Sequence, residues 1–75
     1  MAFNLDIVKP GETAPVRKLL EDGSYIIGRG NACKIQLPYP EVSERHALLS
    51  LRGTKAAFQD LRSANGSYVN GIPVD

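Results

Sequence analysis

The sequence has little material for cross-links or for holding a cofactor: it contains one cysteine and one histidine among 75 residues. Cys33 has no second cysteine with which to form an internal disulfide, and no group of cysteines and histidines has metal-ligand spacing. Stabilisation by a disulfide or a zinc ion is therefore excluded, and we expect neither a metal nor another cofactor. A lone cysteine fits a reducing compartment, so we expect a cytoplasmic protein.

Long apolar runs and an excess of one charge are also absent. No stretch approaches the roughly 18 apolar residues that a membrane-spanning helix needs, and the first residues do not form a secretory signal. Nine Lys and Arg against eight Asp and Glu give a net charge of +1, so nothing global favours nucleic acid or an anionic membrane as partner. Any anion recognition must be local, within one small domain over residues 1–75.

What the sequence does contain is a series of short apolar or alternating runs separated by turn residues. Phe3 to Ile7 alternates and predicts a strand. Val16 to Leu20 and Tyr25 to Ile27 flank Glu21-Asp22-Gly23-Ser24, which predicts a β-hairpin. Further strands are predicted at 34–37, 46–51, 55–61 and 67–69.

Turn signals and the shortage of helical patterns decide the fold class. Asn65-Gly66 and Asn70-Gly71 predict tight turns, because both residue types tolerate positive φ. The only candidate helix lies at 16–22, where Pro15 and Asp22-Gly23 limit it to about two turns. Many short strands with frequent turns indicate an all-β sandwich or barrel.

Three polar clusters interrupt the apolar strands, at 28–31, 43–46 and 63–67. Loops gather at the ends of a sandwich, so clusters that are distant in sequence can converge on one site. Arg29 offers a forked, permanently charged donor and Ser43 a short hydroxyl donor, which suit a doubly negative phosphate. Asn65 carries a donor and an acceptor and could hold a peptide backbone beside that phosphate.

These residues also resemble a known family. The pairs Gly28-Arg29 and Asn65-Gly66, the spacing of Ser43 and His46, and the later Val69-Asn70-Gly71 resemble the forkhead-associated (FHA) signature in order and separation. The resemblance runs from about Tyr25 to Gly71. It implies an antiparallel β-sandwich of the FHA/SMAD-like type, with binding loops at one end, that recognises phosphothreonine-containing peptides in Ser/Thr-kinase signalling.

The resemblance also implies a role for each signature residue. Arg29 and Ser43 are expected to contact the phosphate, and Asn65 to bond the peptide backbone near the residue after phosphothreonine. His46 is expected to brace the binding loops without touching ligand. Glycines are expected to shape the turns at Gly28 and Gly66.

Two positions beside the signature depart from the family pattern. Glu44 stands where a polar or basic residue often contributes to phosphate binding, and its charge would repel phosphate if it pointed inward. Ala64 stands where Thr or Ser is common and has no side-chain hydrogen bond to give. Both positions are expected to belong to the phosphopeptide-binding site, and both bear on its affinity more than on the family resemblance.

The end of the chain is a third departure, since the family's sandwich normally continues past the Val-Asn-Gly segment. Residues 1–75 are therefore expected to form a single FHA domain that lacks its last strands. Those strands, or a strand-swapped second copy, are expected to complete the sandwich. The alternative function is an FHA-like structural or oligomerisation module that binds its partner independently of phosphorylation.

An enzyme is the third reading of the sequence. Ser43, His46 and Asp60 are the ingredients of a nucleophile triad, but no G-x-S-x-G elbow arranges them as one. Gly28 and Gly30 begin a dinucleotide-binding pattern that lacks its third glycine and a helix to receive a pyrophosphate. We therefore expect a binding protein and no catalytic residues.

Overall fold

The computed structural model describes residues 3–8 and 11–75, and this part of the chain contains strands and no helix. It accordingly has no helix able to cross a membrane. Eight strands follow one another in the described ranges: β1 (Phe3–Ile7), β2 (Val16–Leu20), β3 (Gly23–Gly28), β4 (Ile35–Gln36), β5 (Ala47–Arg52), β6 (Lys55–Asp60), β7 (Ser67–Val69) and β8 (Ile72–Val74).

The strands form three sheets. β1 and β2 make an antiparallel pair, β4-β3-β5-β6 make a four-stranded sheet, and β7 and β8 make a second antiparallel pair. Within the larger sheet, β3, β5 and β6 are antiparallel neighbours, whereas the short β4 runs parallel to β3. The architecture is therefore antiparallel apart from one two-residue pairing.

The core lies between the β1-β2 pair and the four-stranded sheet. Alternation along β1 turns every second residue inward, and β2 contributes Leu20, which pairs with Phe3. Leu20, Ile35 and Leu51 are buried, and half-buried apolar side chains pack around them: Phe3, Leu5, Ile7, Tyr25, Ile27 and Leu49. The all-β, layered fold class expected from the sequence is confirmed.

One local prediction is wrong, and it concerns the pairing of Val16–Leu20. This segment is a strand, as expected for one arm of a hairpin, and not the candidate helix, but it does not pair with the strand that follows it. It pairs instead with Phe3–Ile7 in the two-stranded sheet, while Gly23–Ile27 pairs with Ala47–Leu51. Tertiary pairing overrides both the weak helical pattern and the turn signal at 21–24.

The two Asn-Gly pairs behave differently. Asn70 and Gly71 have φ values of 51° and 80° and join β7 to β8, as expected for a type I′ hairpin. At Asn65-Gly66 only the glycine has positive φ, at 80°, and the strands on either side do not pair with each other. Asn65-Gly66 is therefore part of a loop that leads from one sheet to another.

Candidate functional site

Strand register brings the three polar clusters to one end of the four-stranded sheet. Ile27 lies opposite Ala47, which lies opposite Asp60. β3 therefore ends where β5 begins and where β6 ends. Three loops leave this edge side by side: residues 29–34 after β3, residues 37–46 before β5, and residues 61–66 after β6.

The first two loops are fastened together by their main chains. The Arg29 N–H donates to the Ser43 carbonyl at 3.0 Å, and the Gly30 N–H donates to the Glu44 carbonyl at 3.1 Å. The Cys33 thiol also donates to the Glu44 carbonyl, at 3.2 Å. Cys33 is therefore half-buried and hydrogen-bonded at the edge of the site.

Residue 28 must be glycine because the backbones of the first two loops lie so close together. A Cβ at residue 28 would lie 2.2 Å from the Glu44 carbonyl oxygen and 3.0 Å from the Cys33 sulfur, so no side chain fits without moving the backbone. Its φ is not positive, unlike that of Gly66. Gly28 thus shapes the site by letting two backbones meet, while Gly66 supplies a left-handed conformation that L-residues rarely adopt.

The Arg29 side chain lies along the second loop. Its Nε donates to the Val42 carbonyl at 3.0 Å, and the residue is exposed. Within residues 3–8 and 11–75, no hydrogen bond or ion pair uses the two terminal Nη groups. The guanidinium is thus oriented through one nitrogen and keeps its fork available for an anion.

Ser43 and His46 join the second loop to the third. The Ser43 hydroxyl accepts the backbone N–H of Ala64 at 3.0 Å, and the Ser43 N–H donates to His46 Nδ1 at 3.0 Å. His46 Nε2 lies 2.8 Å from the Gly66 carbonyl. Because Nδ1 accepts and a carbonyl can only accept, the neutral imidazole with its proton on Nε2 satisfies both contacts.

Asn65 is held against the same short segment. Its Nδ2 donates to the Glu41 carbonyl at 2.7 Å, and its side chain is otherwise exposed. An amide nitrogen carries two protons, so one of them and the Oδ1 acceptor stay available. Arg29 and Asn65 are therefore both hydrogen-bonded to the second loop, within residues 41–43, and Ser43 of that loop is hydrogen-bonded to the third loop.

The two departures from the family pattern lie at the rim of this arrangement. Glu44 is exposed, and its Cγ lies 3.0 Å from where a Cβ of Gly30 would be, so its side chain folds over the loop that carries Arg29. Ala64 contributes a backbone N–H to the Ser43 hydroxyl, a contact that needs no side chain. Both residues thus border the site.

Sequence reasoning missed the role of Asp60 at this edge. Its carboxylate accepts the Ser63 N–H at 2.9 Å, the Ser63 hydroxyl at 2.5 Å and the Ser67 hydroxyl at 2.6 Å. These hydrogen bonds, from Ser63 and then Ser67, lower the pKa of Asp60 to about 2. The spacing Asp60-x-x-Ser63 at a strand end was the available signal, since Asp side chains often cap a turn in this way.

The potential triad is not assembled. His46 Nδ1 receives the backbone N–H of Ser43, while the Ser43 hydroxyl is bonded to Ala64. His46 Nε2 lies 3.9 Å from the Asp60 carboxylate, which exceeds hydrogen-bonding distance. The described ranges also contain no group of three or more His, Cys, Asp or Glu that could hold a metal ion.

A family model described as FHA domain matches residues 25–75. The FHA domain-containing protein FhaA of Mycobacterium tuberculosis is 46% identical over 55 residues, which cover 73% of this chain and 10% of FhaA. The glycogen accumulation regulator GarA of Mycolicibacterium smegmatis is 41% identical over 69 residues, which cover 92% of this chain and 44% of GarA.

Solved structures agree with the sequence matches. One, from a structural and functional analysis of phosphothreonine-dependent FHA domain interactions, superposes with a TM-score of 0.73 at 42% identity, covering 79% of this chain and 62% of that one. The FhaA FHA domain complexed with the intracellular domain of Rv3910 gives the same TM-score and identity and is covered to 65%.

The fold and the three joined loops define a β-sandwich recognition domain. The chain belongs to the FHA domain family. It spans less than half the length of the curated relatives it matches, 10% of FhaA and 44% of GarA.

Proposed function

We propose that this chain is a phosphothreonine-binding interaction module. The observation that carries the proposal is that Arg29, Ser43 and Asn65 come from three loops and are hydrogen-bonded to one another's segments at a single edge of the sheet. Each keeps at least one polar group free for a ligand. The fixed geometry favours binding, because little side-chain freedom remains to be lost when a peptide docks.

Each residue has a distinct part in this proposal. The free Nη groups of Arg29 pair with phosphate oxygens, and the Ser43 hydroxyl donates its own hydrogen to the same group. Asn65 bonds the peptide backbone through its remaining N–H and its Oδ1. Phosphorylation of the partner creates the ligand, and charge-assisted hydrogen bonds then make the docking selective.

The relatives support this assignment. The solved structures at 42% identity include one from a study of phosphothreonine-dependent FHA interactions and one of an FHA domain bound to an intracellular domain of another protein. We extend to this chain an intracellular partner and a cytoplasmic location, which the lone, reduced Cys33 also favours. Nucleic acid and membrane are not part of the proposal, because the net charge is only +1.

We also propose that the chain is not an enzyme. A nucleophilic serine needs a base in contact with its hydroxyl, and here the Ser43 hydroxyl contacts the Ala64 N–H instead of His46. The same contacts give His46 a bracing part, because its two nitrogens reach Ser43 and Gly66 on different loops. We assign Glu44 and Ala64 to the rim of the peptide site.

A second candidate function is phosphorylation-independent assembly. The β7-β8 hairpin exposes Tyr68 by 64% and Ile72 by 66%, which is a large apolar surface for a small domain. Further strands of a longer chain or a strand-swapped second copy would cover this surface. If this candidate function is correct, the affinity of self-association or of partner binding is the same with and without phosphate, and Glu44 does not border a peptide-binding site.

The deciding experiment compares matched peptides. A degenerate phosphothreonine library is screened first, and the selected peptide and its unphosphorylated twin are then titrated by calorimetry. We expect binding of the phosphorylated peptide only. Arg29→Ala should abolish it, whereas Arg52→Ala, an exposed arginine at the far end of β5, should leave it intact. Equal affinity for both peptides would establish the phosphorylation-independent alternative instead.

A further inference from the structure

The Asp60 side chain closes the third loop at both ends. It is the last residue of β6, and its side chain is 10% exposed. Ser63, near the start of the loop, donates to it through both its N–H and its hydroxyl. Ser67, the first residue of β7, donates through its hydroxyl from the other end and is itself buried.

The residues between these two serines make the hydrogen bonds that join the third loop to the second loop. Ala64 donates its N–H to the Ser43 hydroxyl, and Asn65 donates to the Glu41 carbonyl. Only residues 64–66 lie between the two anchored serines. With both serines held by one carboxylate, the positions of these residues are closely limited.

The loop also contains a conformation that needs support. Arg62 has a φ of 56°, in the left-handed region that a non-glycine residue adopts at a cost. It lies between Asp60 and Ser63, so their two hydrogen bonds span the left-handed residue. The Asp60–Ser63 contact therefore holds the chain in the turn that directs it toward Asn65.

We infer that Asp60 is a positioning residue of the phosphopeptide site, acting through the third loop to place Asn65. The inference rests on the proposed function. Asp60 itself faces Ser63, Ser67 and, at 3.9 Å, His46, and it does not reach the free groups of Arg29 or Asn65. Its effect on a ligand is therefore indirect, and most of this effect should vanish in a variant that lacks the Asn65 side chain.

A double-mutant cycle tests this dependence. Asp60→Asn in the wild-type background should raise the Kd for the selected phosphothreonine peptide about tenfold, as expected for a weakened charge-assisted hydrogen bond. In the Asn65→Ala background the same change should raise the Kd less than about twofold. An equal increase in both backgrounds, or none in the wild type, would overturn the inference.

Asp22→Asn is the matched control. The Asp22 carboxylate likewise accepts a backbone N–H from another turn, that of Gly53 at 3.0 Å, but it lies at the opposite end of β3. This variant should lose stability without a change in Kd. If Asp22→Asn weakens peptide binding as much as Asp60→Asn does, general destabilisation explains both and the inference falls.

A milder pair of variants serves if Asp60→Asn fails to fold. Ser63→Ala removes one donor and leaves the backbone N–H bond, so the Kd should rise about threefold. Ser63→Thr keeps the hydroxyl and should restore the wild-type Kd. Unchanged binding in Ser63→Ala, or no recovery in Ser63→Thr, would contradict a role for this contact.

A ligand-free measurement separates this inference from the proposed function. In wild-type protein the Asn65 side-chain amide should show an NMR shift and slowed exchange from its bond to the Glu41 carbonyl. Asp60→Asn should move both toward values for a free amide, and Asp22→Asn should not. Absence of any phosphopeptide binding would refute the proposed function, whereas an unchanged Asn65 amide in Asp60→Asn would refute the placement of Asn65 by Asp60.

Discussion

The Ser43 hydroxyl accepts a hydrogen bond from the backbone N–H of Ala64 at 3.0 Å. Since the hydroxyl accepts in this contact, its own hydrogen is not used there. One oxygen can therefore fix the distance between the second and third loops and still donate to a phosphate. This arrangement also shows why alanine is compatible with position 64, because the residue contributes its backbone N–H and needs no polar side chain.

Ser43→Ala tests both functions of this hydroxyl. It removes a donor to phosphate and leaves the Ala64 N–H without its partner, so the Kd for a phosphothreonine peptide should rise by roughly ten- to a hundredfold. Calorimetry measures this change. Ser50→Ala, a half-buried serine within β5, is the control and should bind normally. Wild-type affinity in Ser43→Ala would remove Ser43 from the site.

Gly28→Ala should be more harmful to stability than Gly30→Ala. The added methyl group at 28 meets a backbone oxygen at 2.2 Å, whereas at 30 its closest neighbour is the flexible Glu44 side chain at 3.0 Å. We expect Gly28→Ala to lower the free energy of unfolding by about 2 kcal/mol or more, as for overpacked positions. Urea unfolding checks the order, and equal losses would contradict the steric argument.

The strands themselves were largely predictable from sequence. Alternation located Phe3–Ile7, and the two flanking Asn-Gly pairs located Ser67–Val69, with the same bounds as in the structure. Pairing was less predictable, because turn residues at 21–24 indicate only that the chain changes direction. They do not reveal that Val16–Leu20 pairs back to Phe3–Ile7, or that Ile35–Gln36 runs parallel to β3.

The site, like the strands and their pairing, was predictable from sequence only in part. Residue type and spacing were enough to nominate Arg29, Ser43 and Asn65, and strand register brings their loops to one edge. The contacts that fix them were not predictable, since most are made to main-chain groups, which no residue type identifies. Asp60 was considered only as part of a triad, because its three donors become visible only when Ser63 and Ser67 are placed in space.

Acid should weaken the hydrogen bonds by which the Asp60 carboxylate holds the third loop. The folded-state pKa of Asp60 is about 2, below its ordinary value of 3.8, so ionised Asp60 stabilises the fold above about pH 4 and this contribution is lost as the pH falls toward 2. Urea unfolding of wild type and Asp60→Asn over this range should give a stability difference that shrinks with falling pH.

Wild type must be compared with Asp60→Asn because Asp6 also makes the free energy of unfolding depend on pH in the acid range. Its hydrogen bonds and charge pairing with Arg17 lower the pKa of that carboxyl as well, and they are present in both proteins. Subtracting one stability curve from the other isolates Asp60. A difference that stays constant between about pH 4 and 2 would show that the Asp60 charge is not what holds the loop.

Glu44→Gln should strengthen phosphopeptide binding. The wild-type carboxylate folds over Gly30, one residue from Arg29, and no ion pair among the described residues neutralises it. Removing a like charge near a bound phosphate should lower the Kd about two- to fivefold, with the larger effect at low salt. Glu21→Gln, at the opposite end of β3, is the matched control and should leave the Kd unchanged. Calorimetry at two salt concentrations distinguishes the outcomes: a raised Kd in Glu44→Gln would mean that this carboxylate contacts the peptide favourably, for instance through a basic flanking residue.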